Sequence, residues 1–439
     1  MRYPPVLCLS LLIVALIVSC APKEKAKEAA VSGQAQTVAQ APAPEAAPAA
    51  AAQGSPVTGG ADWPRFRGPN GDGISAETGI NKDWGSRPPQ ALWQTSLSDD
   101  GFAGPCVADG KVFIIDHQGQ EDVVRAIDLA GGQDVWSFRY ADPGGANYGY
   151  AHSTPCYDEG RVFTIGRAGQ LNAINAADGT SLWSKDFGRD FGGSPPGWNY
   201  AASPVVDGDR LVVLPGGPDA NVAVLNKASG ETIWKGGGTF AAGHATPTIA
   251  TINGVKQYIV FAGKALTGVK ADNGQLLWQV PWENACSVNA AMPLVIDDCV
   301  FATSNYAFGC GLYRIGRSSA QKVWFNKEMH SHFSSPILYK GHIFGTTDPG
   351  DLVCMAPGSG KTVWRQSGFE KGGLVIVDDV IIAFDGSSGD LIMAAASPDS
   401  YQELGRFQPL GGQSWTAPVV AQGRLLVRNK QTLACLDLR

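Results

Sequence analysis

His330 and His332 flank Ser331, and residues two apart on an extended strand project from one face, a geometry in which two imidazoles can share a metal ion. The sequence offers no identifiable third ligand, so no metal site is assigned. Nucleophilic chemistry finds no support either: there is no Ser-His-Asp order, no P-loop and no GxGxxG run opening a helix after a strand. Seven cysteines follow Cys20 (106, 156, 286, 299, 310, 354 and 435), an odd set without a CxxC pair. Most sit in apolar strand-like runs, where a thiol packs as a small hydrophobe. Asp72, in NGDGIS, reads as turn chemistry rather than as part of a calcium loop. No catalytic residue is assigned. The remaining candidates are histidines and aromatics scattered along the chain, and whether they meet depends on the scaffold.

That scaffold is written as a repeat. Six segments share an apolar alternating run, a turn and a tryptophan, from RAIDLAGGQDVW at Trp136 through Trp183, Trp234, Trp278 and Trp324 to VCMAPGSGKTVW at Trp364. The tryptophans are 47, 51, 44, 46 and 40 residues apart, the period of propeller blades. In five of the six, a glycine (132, 179, 230, 274 or 360) lies four residues before the Trp, where a hairpin loop calls for positive φ. A second marker runs independently: Pro105, Pro155, Pro204, Pro247, Pro293, Pro336 and Pro418 each open a short apolar strand. The doubled interval between the last two holds GGLVIVDDVIIAFDGSSGDLIMAAA, a repeat that has lost Pro and Trp. Eight units of four strands follow, here A and B (the Pro-opened hairpin), then C and D (the Gly-turn hairpin).

One four-stranded sheet cannot bury both its faces, so successive sheets must stack. The chain stops at TLACLDLR, a C strand without a D strand, while ALWQTSL around Trp93 is a D strand without a C strand. Pairing them completes the eighth blade and removes the free edges. The expectation is an all-β, eight-bladed β-propeller of four-stranded blades over residues 91–439. Trp93, Trp136, Trp183, Trp234, Trp278, Trp324 and Trp364 are expected to dock between blades.

In such a ring the D-to-A and B-to-C connections share one face. His117 is placed in a B-to-C loop; His152, His244, His330 and His332 precede A strands, with Trp198, Tyr200, Asn289, Phe333 and Trp415 on the same class of segment. These ten residues form the candidate ligand surface, since function concentrates on loops over a rigid scaffold. The alternative is that the inner aromatics only plug the channel. Cys286 and Cys310 are placed on loops of this face, where an oxidising compartment permits a bond. His342 falls on the other face.

The first twenty residues are read apart from the fold: Arg2, an apolar run from Val6 to Val18, then Ser19-Cys20. This segment resembles a bacterial lipoprotein signal, which implies lipidation at Cys20, export and anchoring to a bacterial membrane. Residues 21–60, rich in Ala, Pro, Gln, Lys and Glu, hold almost nothing to bury and read as a disordered tether of roughly 35 Å reach. Residues 61–90 form a leader. The net charge of −6, without a basic cluster in the propeller, excludes a nucleic-acid footprint.

The Gly-to-Trp repeat resembles the pyrroloquinoline-quinone (PQQ)-like repeat propellers, a group that includes quinoprotein alcohol dehydrogenases and the lipoprotein subunit of the β-barrel assembly machine. ADWPRFRGPNGDGIS at 61–75 resembles the leader of secreted PQQ-like repeat proteins of unassigned role. The first branch implies PQQ, Ca2+ and a vicinal cysteine pair, and this chain has no adjacent cysteines. The second implies a binding or scaffolding lipoprotein with an envelope protein partner. The binding reading is preferred and the PQQ-dependent oxidoreductase is the alternative.

Overall fold

Glycine turns at a steady spacing break the apolar runs into 33 strands, and in the computed structural model, which describes residues 60–439, these pair into eight sheets. The signal segment, Cys20 and nearly all of the tether lie outside the described residues. Blade 1 runs outward from Cys106–Ala108 through Lys111–Gln118 and Glu121–Asp128 to Asp134–Ala141. Blades 2 to 7 repeat this order over 156–186, 205–236, 248–281, 294–326, 337–367 and 374–407. Blade 7 is the repeat without Pro and Trp. Blade 8 is 419–437 closed by Ala91–Ser96, which pairs antiparallel with Thr432–Asp437 in the register Trp93 to Cys435 and Ser96 to Thr432. The expected architecture and its closure are both present.

Burial follows from position in the stack. A middle strand such as Lys111–Gln118 is covered on both faces by neighbouring blades and is buried almost throughout. The outer strand Asp134–Ala141 meets a neighbour on one face only and alternates exposed with half-buried residues. The tryptophans of these outer strands join the blades. Trp93 Nε1 donates to the Leu129 carbonyl at 2.9 Å, Trp136 to Ala176 at 3.0 Å, Trp183 to Lys227 at 3.2 Å, Trp324 to Pro357 at 2.8 Å and Trp364 to Ser397 at 3.0 Å. Each acceptor belongs to the following blade, so every such indole ties two sheets. Trp234 stacks on Tyr258 of blade 4 without an acceptor for its N–H. Trp278 packs against blade 5 but donates to Gln257 of its own blade at 2.7 Å. Blade 5 has Ala320, not glycine, four residues before its Trp, so the glycine platform on which Trp93, Trp136, Trp183, Trp234 and Trp324 lie is missing there.

That platform gives the glycine a second task beyond its turn. Gly230 has φ 73° and lies against the Trp183 ring, where an added Cβ would stand 2.6 Å from ring carbon Cδ2. Gly208 has φ 62° with open space around it. Gly208→Ala should therefore cost only backbone strain, about 1–2 kcal/mol, and Gly230→Ala on the order of 2–5 kcal/mol. Urea denaturation of the two variants checks this, and equal losses would remove the platform from the account.

The leader is built into the inner strands rather than lying outside them. Trp63, buried, exchanges backbone hydrogen bonds with Val107 of blade 1, and the Pro64 carbonyl accepts from Tyr157 N of blade 2. Arg67 reaches the carbonyls of Ser335 and Pro336 in blade 6, both at 2.7 Å. Ile74–Ser75 then adds a parallel strand to the inner edge of blade 7, and Asp72 Oδ1 caps its own turn through Ile74 N at 3.0 Å. Residues 63–75 thus touch the innermost strands of four blades. Among the described residues the one α-helix is Phe187–Phe191, and no helix is long and apolar enough to cross a membrane.

Candidate functional site

The innermost strands line the central channel, so the residues just before them stand at its mouth. Three positions before the strand-opening proline lie Phe102, His152, Ala201, His244, Ala290, Phe333 and Trp415. The larger of these meet one another. Trp415 stacks on Phe102 with centroids 5.0 Å apart and lies 5.2 Å from Phe333; Phe102 reaches His152 at 6.4 Å. Phe333 continues to His332 at 5.0 Å, and Trp198 meets His244 edge-on at 6.5 Å. Trp415 belongs to blade 8 and Phe333 to blade 6, so their contact passes over blade 7, whose Lys371 ammonium sits 5.6 Å from the Trp415 centroid. Phe102 is the member that sequence reasoning missed, although its offset from Pro105 is the signal that marks the others.

Burial controls the charge of this ring. His244 is pushed down to about 4 by desolvation, with His152 and His332 adding to it, and both its ring nitrogens lack a hydrogen-bond partner. His332 is likewise held at about 4 by burial, against the opposing pull of Asp348; Nε2 meets the Tyr306 hydroxyl at 3.1 Å and Nδ1 has no partner. Burial lowers His152 as well. At neutral pH the mouth therefore presents neutral imidazoles among aromatic rings. Because the unfolded chain takes up protons near pH 6.5 and these rings do not, stability present above pH 6.5 should fall as the pH drops toward 4, by up to about 1.4 kcal/mol per pH unit per ring. Urea titrations at pH 7 and pH 5 should show this, and His244→Phe should flatten the dependence.

The other candidates separate from this group. Tyr200 is buried, donating to the Pro215 carbonyl at 2.7 Å and set edge-on to Phe187. Asn289 is buried too, its amide bonded to the Ala262 and Gly263 carbonyls and to the Asn284 side chain. His330 and His332 are not on a strand as expected: the segment between the blade 5 and blade 6 strands is irregular there, and Thr347 Oγ1 takes His330 while Tyr306 takes His332. Cys310, expected on a loop, lies in the strand Gly309–Ile315 with its thiol 3.2 Å from Asn326 Oδ1, and no disulfide forms among the described residues. His117, also expected on a loop, is a buried residue of the strand Lys111–Gln118, because the hairpin that follows turns in only two residues. It lies apart from the channel ring, stacked on Tyr150 at 3.6 Å.

The family described as outer membrane protein assembly factor BamB matches residues 120–366. No curated protein matches the sequence. Among solved structures, BamB from Moraxella catarrhalis is 16% identical with a TM-score of 0.58, covering 80% of this chain and 99% of that one. A europium-containing methanol dehydrogenase is 12% identical with a TM-score of 0.64, covering 86% and 98%. The quinohemoprotein alcohol dehydrogenase ADHIIG from Pseudomonas putida HK5 is 15% identical with a TM-score of 0.61, covering 86% and 80%. At these identities the likeness is one of fold.

PQQ, which the resemblance to quinoprotein dehydrogenases implies, is a tricarboxylate, and a buried site for it calls for cationic or hydrogen-bond-donating groups. Among the described residues Lys371 is the cation set over a mouth ring, and burial keeps His244 and His332 neutral. The guanidinium groups near His152 are spent, Arg428 on the carbonyls of Gly101, Ala103, Asn429 and Lys430 and Arg167 on Asp142, Gly144 and Gly145. The residues present do not fit a tricarboxylate.

Proposed function

As the chain belongs to the family of outer membrane protein assembly factor BamB, we propose that it is a non-catalytic binding and scaffolding module of the bacterial cell envelope, exported and tethered through a lipid on Cys20 by residues 21–60. It holds a protein partner at the face where the D-to-A and B-to-C connections gather. The observation that carries this reading is the mouth itself: aromatic rings from blades 1, 6 and 8 in mutual contact, with buried imidazole nitrogens at His244 and His332 that lack partners. Rigid aromatics supply apolar area at low entropic cost, and unpaired buried nitrogens reward a ligand that brings hydrogen bonds. Tyr148, 68% exposed on the 142–151 segment, extends the apolar surface beside them.

A photo-crosslinking residue at Tyr148 in the full chain, expressed in bacterial cells, should capture a defined envelope protein, and the same residue at His342 on the opposite face should not. Trp415→Ala combined with Phe333→Ala should reduce the Tyr148 adduct at least about tenfold, the loss expected for removing central aromatic anchors. Equal capture from both faces, or capture indifferent to the double variant, would overturn the assignment of this face. Dye reduction with an alcohol after loading with PQQ and Ca2+ would replace the binding reading with the oxidoreductase one.

A further inference from the structure

Outside the channel ring, one polar cluster is buried between blades without being internally satisfied. The two-residue turn after Gln118 sets His117 directly across from Asp122, and Asp122 in turn across from Tyr140, so the three share one face of blade 1. Asp142, just past the end of the outer strand, brings its carboxylate back to the same point. His117, Asp122 and Asp142 are each at most 3% exposed, and one ligand atom from each lies within 4.8 Å of the other two. Neither Asp122 oxygen makes a hydrogen bond of ordinary geometry, and burial and the neighbouring Asp142 raise its carboxyl to about 7 against the pull of the Tyr140 hydroxyl opposite.

The imidazole carries the second observation. His117 Nδ1 meets Asp99 Oδ2 at 2.8 Å, which orients the ring and aims Nε2 at the side where Asp122 and Asp142 lie. Nε2 faces two oxygens of Asp142, the carbonyl at 3.3 Å and Oδ2 at 3.5 Å. A ring nitrogen set among acceptors alone needs a positive centre between them, its own proton or a bound cation. These separations suit a shared cation, since donors about 2.0–2.2 Å from one tetrahedral ion stand roughly 3.3–3.6 Å apart. A proton donated from Nε2 to a carboxylate would draw the pair to about 2.7–2.9 Å. Carboxylates outnumber cations at this point: Asp99, Asp122 and Asp142 converge, and the guanidinium that meets them is Arg167, bound to Asp142 Oδ2 at 2.5 Å.

We propose that His117, Asp122 and Asp142 hold a divalent cation of the class that accepts mixed nitrogen and oxygen donors, with Zn2+ as its representative, and that Asp99 is the positioning residue that orients the imidazole. The site ties the outer connection of blade 1 to Arg167 of blade 2, so the ion is structural. Tyr150 covers it from one side, and the half-exposed edge at Asp99 is the route by which it loads.

Calorimetric titration of the metal-free full chain with Zn2+ should show one equivalent bound. Asp122→Asn should weaken it at least about 100-fold, Asp99→Asn by about 10–100-fold, and His342→Ala not at all. Co2+ in place of Zn2+ should give tetrahedral ligand-field bands without the thiolate charge-transfer absorption that a cysteine site would add. Should Asp122→Asn fail to fold, Zn2+ added to the unaltered protein must still shift the NMR resonances of one imidazole, that of His117. Failure of the folded protein to bind Zn2+, affinity unchanged by Asp122→Asn, or a thiolate band on Co2+ would each overturn the site. The mouth-face crosslinking reads a different surface, so the two readings fail independently.

Discussion

A chain that starts at residue 98 is expected not to form a closed monomer. Ala91–Ser96 is the outer strand of blade 8, and its loss bares the edge of Thr432–Asp437, whose N–H and C=O groups then lack partners. The same cut removes the Trp93 indole from its seat on blade 1, and with it Trp63 and Trp84, all buried in the cluster that joins blades 7, 8 and 1. Burying an aromatic of this size stabilises by about 3–5 kcal/mol, and three are lost together. That total is comparable to the whole stability of a domain, about 5–15 kcal/mol. Size-exclusion chromatography should find edge-paired oligomers or aggregate, and cooperative melting should vanish. A peptide of residues 88–99 supplied in trans should restore part of the monomer; an unaltered melting midpoint in the truncated chain would contradict the closure.

Arg67→Ala is expected to be as damaging as the loss of a buried leader tryptophan. The guanidinium is buried and donates to the carbonyls of Ser335, Pro336 and Asp72, each at 2.7 Å. Burial lowers it only to about 10, so it stays charged at neutral pH. Alanine leaves the blade 6 carbonyls buried without donors, and hydrogen bonds from a charged group are worth about 1.5–3 kcal/mol each. A loss on the order of 3–5 kcal/mol follows, read by urea denaturation. Arg67→Lys keeps the charge but cannot span the two blade 6 carbonyls and Asp72 with one fork, so most of the loss should remain. Full rescue by lysine would mean that charge, not geometry, secures the leader.

Much of the propeller was legible because its determinants are local. Proline at the start of an A strand, glycine four residues before a tryptophan, and the two half-blades at 91–97 and 432–438 each encode a strand or turn within a dozen residues. Even the degenerate blade 7 could be placed, since its alternating runs survive without either marker. The mouth was legible in part. Its residues sit at a fixed offset from the prolines, which located His152, His244, Phe333 and Trp415 and would have located Phe102. That Tyr200 and Asn289 turn inward to brace neighbouring carbonyls was not readable, because their partners lie in packing rather than in pattern.

The cation cluster shows where the boundary falls. The facing of His117 and Asp122 follows from a two-residue turn in a hairpin, a local property. The return of Asp142 and the approach of Asp99 and Arg167 depend on three separate connections converging. The leader is the extreme case: without strand or helix periodicity, Arg67 finds its acceptors 268 and 269 residues away.

From the sequence alone came the eight-unit count, the order of strands in a blade and the seam between the two extremities, because hydrogen-bonded hairpins and turn conformations are fixed by near neighbours. Only the tertiary structure decided which side chains share a mouth, which buried carboxylates converge and that the leader threads the inner strands. Those outcomes depend on how blades face one another, and such contacts are set by shape and charge across the ring, where no sequence interval records them.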